Sequence, residues 1–235
     1  MPDLVSAATA ILSQAQRRVE MAGENVANAT SPAYKRRIPF AVYADAAEDR
    51  RPVAPSLSAA IDHSPGKLVQ TGNPYDLAIV GTGFFALRDG QGTRYARAGR
   101  FSRREDGRLV DALGGVLQSA AGADVIANGA GFEVRPDGEI RSEGAVAGRI
   151  GVFDTADPQR LVPTGGGFAD HGSILELSAH AQVAQGSYEA SNVSTGDEMV
   201  RMMEALRLAE SGQRLMITYD DMMGRVISTF GDSVR

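Results

Sequence analysis

The stretch DLAIVGTGFFAL, residues 76–87, holds the residues most readily read as chemistry. An apolar run from Leu77 to Val80 leads into Gly81-x-Gly83-x-x-Ala86, the spacing of a dinucleotide-binding loop. In such a loop glycines let the backbone approach a pyrophosphate, which sits at the N-terminus of the next helix. The acidic pair Glu105 and Asp106 stands about twenty residues on, where a ribose-binding carboxylate belongs. The helix is what the sequence denies. Phe84-Phe85-Ala86-Leu87 runs straight into Arg88-Asp89-Gly90-Gln91-Gly92, a turn, and the next run, residues 93–96, is again short and strand-like. A nicotinamide cofactor therefore has no βαβ unit to hold it, and the expectation is no cofactor and no small-molecule ligand.

Other constellations are equally bare. His63, His171 and His180 are scattered, with no HExxH and no i, i+4 pair, and the chain has no cysteine. Disulfides and thiol chemistry are excluded, and no recognisable metal set remains. No serine sits in a G-x-S-x-G elbow. Sequence neighbours such as Glu105/Asp106 and Asp220/Asp221 do not supply the opposed carboxylates of a glycosidase. Asn28-Ala29-Thr30 and Asn192-Val193-Ser194 match the glycosylation sequon, a pattern short enough to recur by chance. A net charge of −5 argues against nucleic acid, whose phosphates demand clustered Lys and Arg. No apolar run is long enough to insert in a membrane. The N-terminus lacks a positive n-region and a clean apolar core, so export by a cleaved signal is not expected. At 235 residues the chain can build one large domain or two small ones.

The elements that must position these residues differ in kind along the chain. Residues 1–30 repeat every seven: Val5, Leu12, Val19 and Val26 form one column, and Ala8, Ala15, Ala22 and Ala29 the other. Spacings of three and four sustained over four heptads predict a coiled-coil seam, with Pro2 in the first turn and Pro32 ending the pattern. The C-terminal stretch repeats the device with Ala205, Gly212, Tyr219 and Val226, and with Ala209, Met216, Met223 and Phe230. Thr195 followed by Glu198 reads as its capping box. The interior glycines Gly212 and Gly224 each cost about 1 kcal/mol relative to Ala, so this helix is expected to be marginal alone. Either the two helices pack only on each other within one chain, or they also pack on other chains. Between them, residues 66–185 hold turn signals about every ten residues, Asp89-Gly90, Asp106-Gly107, Gly114-Gly115 and Asp137-Gly138 among them. Such punctuation predicts an all-β domain. Residues 41–65, with Pro52 and Pro55, read as an extended linker with little core. The fold class is thus α+β: terminal helices, 1–40 and 186–235, around a turn-rich β middle.

Four stretches together carry a resemblance: NVANATSPAYKR (25–36), TGNPYDLAIVGTGFF (71–85), YARAGRFSRREDGRLVDALGGVL (95–117) and EASNVSTGDEMVRMMEALRLAESGQRL (189–215). In this order and at these distances they resemble the bacterial flagellar rod and hook protein family, over nearly the whole chain. Within it they are most similar to proximal rod members, with distal rod members next. The motif residues are Asn25, Asn28, Pro32, Tyr34 and Lys35; Asn73, Pro74, Asp76, Gly81, Gly83, Phe84 and Phe85; and Ser191, Asn192 and Val193. Glu24, Thr30, Ser31 and Ala33 depart from the pattern, which has Asn, Asn, Thr and Gly there. If the family uses that Gly at positive φ, Ala33 carries a steric cost.

The resemblance implies a non-enzymatic subunit of the flagellar basal body, spanning the periplasm. Its partners are other rod subunits, met in axial assembly through a coiled-coil layer, and the flagellar type III export apparatus, which passes the chain unfolded. It also implies that Asn25, Asn28, Tyr34 and Lys35 fix the chain leaving the first helix, and that Ser191, Asn192 and Val193 fix the start of the last. Capping within one chain and contact between subunits both remain open for these polar residues. The rival of another class is an enzyme acting on the cell wall, which needs a carboxylate pair or metal set in a cleft of the β domain. The free chain is expected to resist proteolysis best over residues 66–185.

Overall fold

The computed structural model describes residues 2–42, 56–90, 92–127, 131–170, 175–178 and 181–232. They divide into two compact units, the first drawn from Met1–Ala27, Arg37–Asp62 and Ser194–Arg235, the second from Asn28–Arg36 and His63–Val193. In the first unit, α1 (Pro2–Ala27) and α2 (Thr195–Asp232) accompany an antiparallel pair, β1 (Arg37–Val42) and β2 (Ser56–Ile61). His171, His180 and residues 43–55, Pro52 among them, lie outside the described residues, as does the side chain of Phe230.

Ala8, Ala15 and Ala22 of α1 are buried, as are Ala205 and Gly212 of α2. A Cβ on Gly212 would lie 3.1 Å from Ile11 Cγ2 and 3.2 Å from Leu12 Cγ, so this glycine marks a close approach of the two helices. Asn25 Nδ2 donates to Glu198 Oε2 at 3.0 Å, so early α2 meets late α1 and the helices run antiparallel. Small residues at seven-residue intervals let helix axes come close, at the expense of apolar area. The alanine column faces the partner helix. Leu12, Val19 and Val26 are half-buried at its flank, whereas Val5 and, in α2, Val226 are exposed. Ala209, Met216, Tyr219 and Met223 are half-buried.

Three readings need correction. Ala29 lies beyond the last residue of α1, in a turn, so it cannot continue the seam. Within the stretch read as linker, Ser56–Ile61 is a paired strand, and Arg17 Nη1 of α1 donates to Leu57 O at 2.8 Å. The first residue of α2 is Thr195, which places Ser194 at the cap. Its Oγ lies 3.5 Å from the Asp197 amide, long for a hydrogen bond, and the Glu198 carboxylate reaches Asn25.

In the second unit the strands β3 (Leu68–Gln70), β4 (Leu77–Val80), β5 (Phe84–Asp89) and β6 (Gly92–Ala96) precede a series of further short strands. The main sheet runs Val162–Thr164, Gly167–Ala169, β6, β5, Val116–Leu117, Leu109–Val110, Ser102–Arg103, with Val152–Asp154 also pairing β5. Beside it Glu133–Val134, Glu139–Ser142 and Ala145–Arg149 form an antiparallel meander. Gln182–Gln185 returns to pair with β4, and Ser187–Glu189 with β3. The core gathers Leu77, Ile79, Phe85, Leu87, Phe101, Leu109 and Leu117 with Val125, Ile140 and Val183. Each strand is too short to bury much alone, so the core exists only once strands distant in sequence have met.

Candidate functional site

The glycine loop that suggests a cofactor is a connection between β4 and β5, so the element after Gly83 is a strand and not a helix. Gly83 has φ +111°, and a Cβ there would lie 2.8 Å from Val152 Cγ1 and 3.1 Å from Phe153 O. Only glycine fits both the conformation and the neighbouring strand. A phosphate loop aims N–H groups at an anion. Here carbonyls converge on a cation: the Arg97 guanidinium donates to Gly83 O at 2.9 Å, Gly81 O at 2.7 Å and Ile79 O at 3.4 Å. Arg97 is itself buried, at 4% exposure. Phe84 and Phe85 are both buried but on opposite faces of β5, because successive side chains of a strand alternate. Phe85 meets Phe101 in the core, while Phe84 packs edge-on against Phe168 and His63.

Arg97 leads to a buried ionic cluster of this unit. Its Nε donates to Glu189 Oε2 at 2.6 Å. The other carboxylate oxygen, Oε1, accepts from Lys35 Nζ at 2.6 Å and from the Gly66 amide at 2.7 Å. Glu189 is 1% exposed. Burial alone would push its carboxyl up, but the Arg97 charge, the Lys35 hydrogen bond and the Gly66 amide outweigh it and hold the group below the usual glutamate range. Gly66 is required at this point, since a Cβ would fall 2.0 Å from Ala190 O.

The segment carrying Lys35 is fixed at further points. Lys35 Nζ also donates to Ser64 O at 2.8 Å. The Ala33 amide donates to Glu189 O at 2.8 Å, and Ala33 adopts φ 56°, the left-handed region. Asn192 accepts from the Arg36 amide through Oδ1 at 2.7 Å, donates from Nδ2 to Ser64 O at 3.0 Å, and gives its own amide to Tyr34 O at 3.3 Å. Ser191 Oγ accepts the Val193 amide at 3.2 Å. Asn28 O accepts the Ser31 amide at 3.0 Å, closing a turn beside Pro32.

The remaining motif residues build a second turn. Asp76, 3% exposed, takes Thr71 Oγ1 at 2.7 Å and Asn73 Nδ2 at 3.2 Å on its two oxygens, and its carbonyl accepts the Gly186 amide at 2.8 Å. Pro74 O accepts Gln185 Nε2 at 2.9 Å. In the first unit Asn25, 1% exposed, brackets the start of β1, accepting the Arg37 amide at 2.9 Å and donating to Arg37 O at 3.0 Å. The structure thus joins Lys35 and Asn192 in one cluster of the second unit, gathers Asn73, Pro74 and Asp76 in another, and keeps Asn25 within the first unit. Glu189 and Arg97 do not stand out in the sequence, although both lie in the stretches that carry the resemblance. No local signal could have singled them out, since Arg97 shares its stretch with Arg100, Arg103, Arg104 and Arg108, and Glu189 shares its own with Asp197, Glu198 and Glu204.

Every donor and acceptor named in these clusters faces another part of the same unit, which is the arrangement of a structural lock. Among the described residues no group of three or more His, Cys, Asp or Glu side chains is placed to hold a metal ion. No helix among them is long and apolar enough to cross a membrane.

Comparison with known proteins agrees with this character. Residues 78–142 match the family described as the flagellar hook protein FlgE/F/G D1 domain, and residues 184–229 match the flagellar basal body rod FlgEFG protein C-terminal family. The chain is 30% identical to the flagellar basal-body rod protein FlgF of Caulobacter vibrioides, over 92% of this chain and 93% of that protein. It is 28% identical to FlgF of Mesorhizobium japonicum over 92% of each chain, and 30% identical to the rod protein FlgG of Bacillus subtilis over 74% of this chain and 72% of that one. The chain belongs to the flagellar basal-body rod protein family.

Proposed function

We propose that the chain is a structural subunit of the flagellar basal-body rod, of the proximal FlgF class, and that it carries torque through packing and performs no catalysis. The observation that carries this reading is the match to FlgF of Caulobacter vibrioides, which covers 92% of this chain and 93% of that protein. The terminal helices form the coiled-coil layer of an axial assembly, with other rod subunits as neighbours. Support comes from α2, where Met199, Met203, Leu206 and Ile217 stand exposed at helical spacing while Ala205 and Gly212 are buried. Heterologous contacts between such faces extend an assembly without closing it. A small-residue seam that stabilises the helices weakly suits a chain passed unfolded by the flagellar export apparatus and ordered on docking. The subunit then stands in the basal body where the rod crosses the periplasm.

The distal FlgG class is the second reading, favoured by the 30% identity to FlgG of Bacillus subtilis. At comparable coverage the identity is 30% to FlgF of Caulobacter vibrioides and 28% to FlgG of Agrobacterium fabrum, which inclines the reading toward the proximal class. Deletion of the gene, complemented by full-length and end-truncated versions, tests the rod assignment. Loss of motility restored only by the full-length chain is expected; intact motility without the gene overturns it.

A further inference from the structure

Residues 28–36 occupy an unusual position in the chain. The elements on either side, α1 and β1, belong to the first unit, yet this segment belongs to the second. The bonds that hold it reach Ser64, Glu189 and Asn192, and they are polar. The core cluster of the second unit draws none of its members from 28–36. Detaching the segment therefore costs hydrogen bonds that water can replace, and leaves the apolar core closed.

The charges are arranged to permit this. Removing one partner from a buried ion pair is ordinarily prohibitive because it strands the other charge. Glu189 has two cations. When Lys35 leaves, Arg97 stays at 2.6 Å on Oε2 and the Gly66 amide at 2.7 Å on Oε1, and the departing ammonium regains its hydration. Ala33, held at φ 56° in the docked segment, adds strain that undocking relieves. We infer that residues 28–36 form a latch that opens and closes as a unit on an intact β core, with the Lys35–Glu189 contact as its fastening. This device is a property of the second unit and does not depend on the rod assignment.

Hydrogen exchange on the full chain, monitored by NMR, tests it. The amides of Ala33, Arg36 and Asn192 report the latch, since each is bonded across it. Those of Leu77, Val125 and Val183, bonded to Gly99 O, Leu117 O and Pro136 O, report the core. In the wild type the three latch amides should exchange at least tenfold faster than the core set. Lys35→Met should accelerate them a further tenfold or more and leave the core within twofold, and Lys35→Arg should restore most of the protection. Ala33→Gly, which relieves the strain and keeps the fastening, should slow the latch amides severalfold and serves as the test if Lys35→Met does not fold. Exchange of latch and core at one common rate in the wild type overturns the proposal. So does an equal acceleration of both sets by Lys35→Met, or latch amides unmoved by Ala33→Gly.

Discussion

Glu189 shows how one residue's surroundings decide what its charge does. A carboxylate at 1% exposure is costly unless its oxygens are met by donors, and here Lys35, Arg97 and the Gly66 amide meet them. Its folded pKa lies below the ordinary value of 4.5, so its contribution to stability is complete above that value and is lost as pH falls through the folded one. Denaturant unfolding should accordingly show stability declining below about pH 4.5. Glu189→Gln should lose about 3 kcal/mol or more at pH 7, since Arg97 is then buried without a counter-charge. The same substitution should flatten the acid decline; a variant as stable as the wild type at pH 7 contradicts this account. In the sequence Glu189 is one acid among many. Its partners lie 154 and 92 residues away in the chain, and no local pattern announces them.

At the scale of elements, seven-residue repetition in α1 was legible, and so was the close-packing character of alanine. Which column faces the partner was not. With a single neighbouring helix, Ala8, Ala15 and Ala22 can all meet it closely, and the larger residues of the other column are set to the flank or to solvent. Ala15→Leu should therefore destabilise the helix pair by about 2 kcal/mol through overpacking, seen as an earlier loss of helical circular dichroism on heating. An unchanged helical transition would show that the seam is looser than the burial of Ala15 implies. The strand pattern of the second unit was equally legible from its turns. The pairing order was not, because short strands of similar composition carry no label for their neighbours. Ser56–Ile61 illustrates the difficulty: prolines and small residues nearby suggested a linker, and pairing with β1 made it a strand.

For the whole molecule, stability is distributed unevenly. The second unit buries Phe85, Leu77, Leu87, Leu109 and Leu117 almost completely, while the first buries alanines, a glycine, Leu57, Asn25 and Glu198. Limited proteolysis of the monomer should accordingly trim α1 and α2 before it cuts between residues 66 and 185. Full protection of the first thirty residues in a verified monomer would contradict that order. The sequence by itself determined the class of fold, helical ends around a turn-rich β middle, because periodicity and turn residues act locally. It also argued against reading the glycine loop as a dinucleotide site, since the turn after Leu87 leaves no room for a helix. Only the tertiary structure decided what that loop is for. Carbonyls of Ile79, Gly81 and Gly83 turn toward Arg97, and Arg97 turns toward Glu189, because a buried guanidinium must find acceptors wherever the fold brings them.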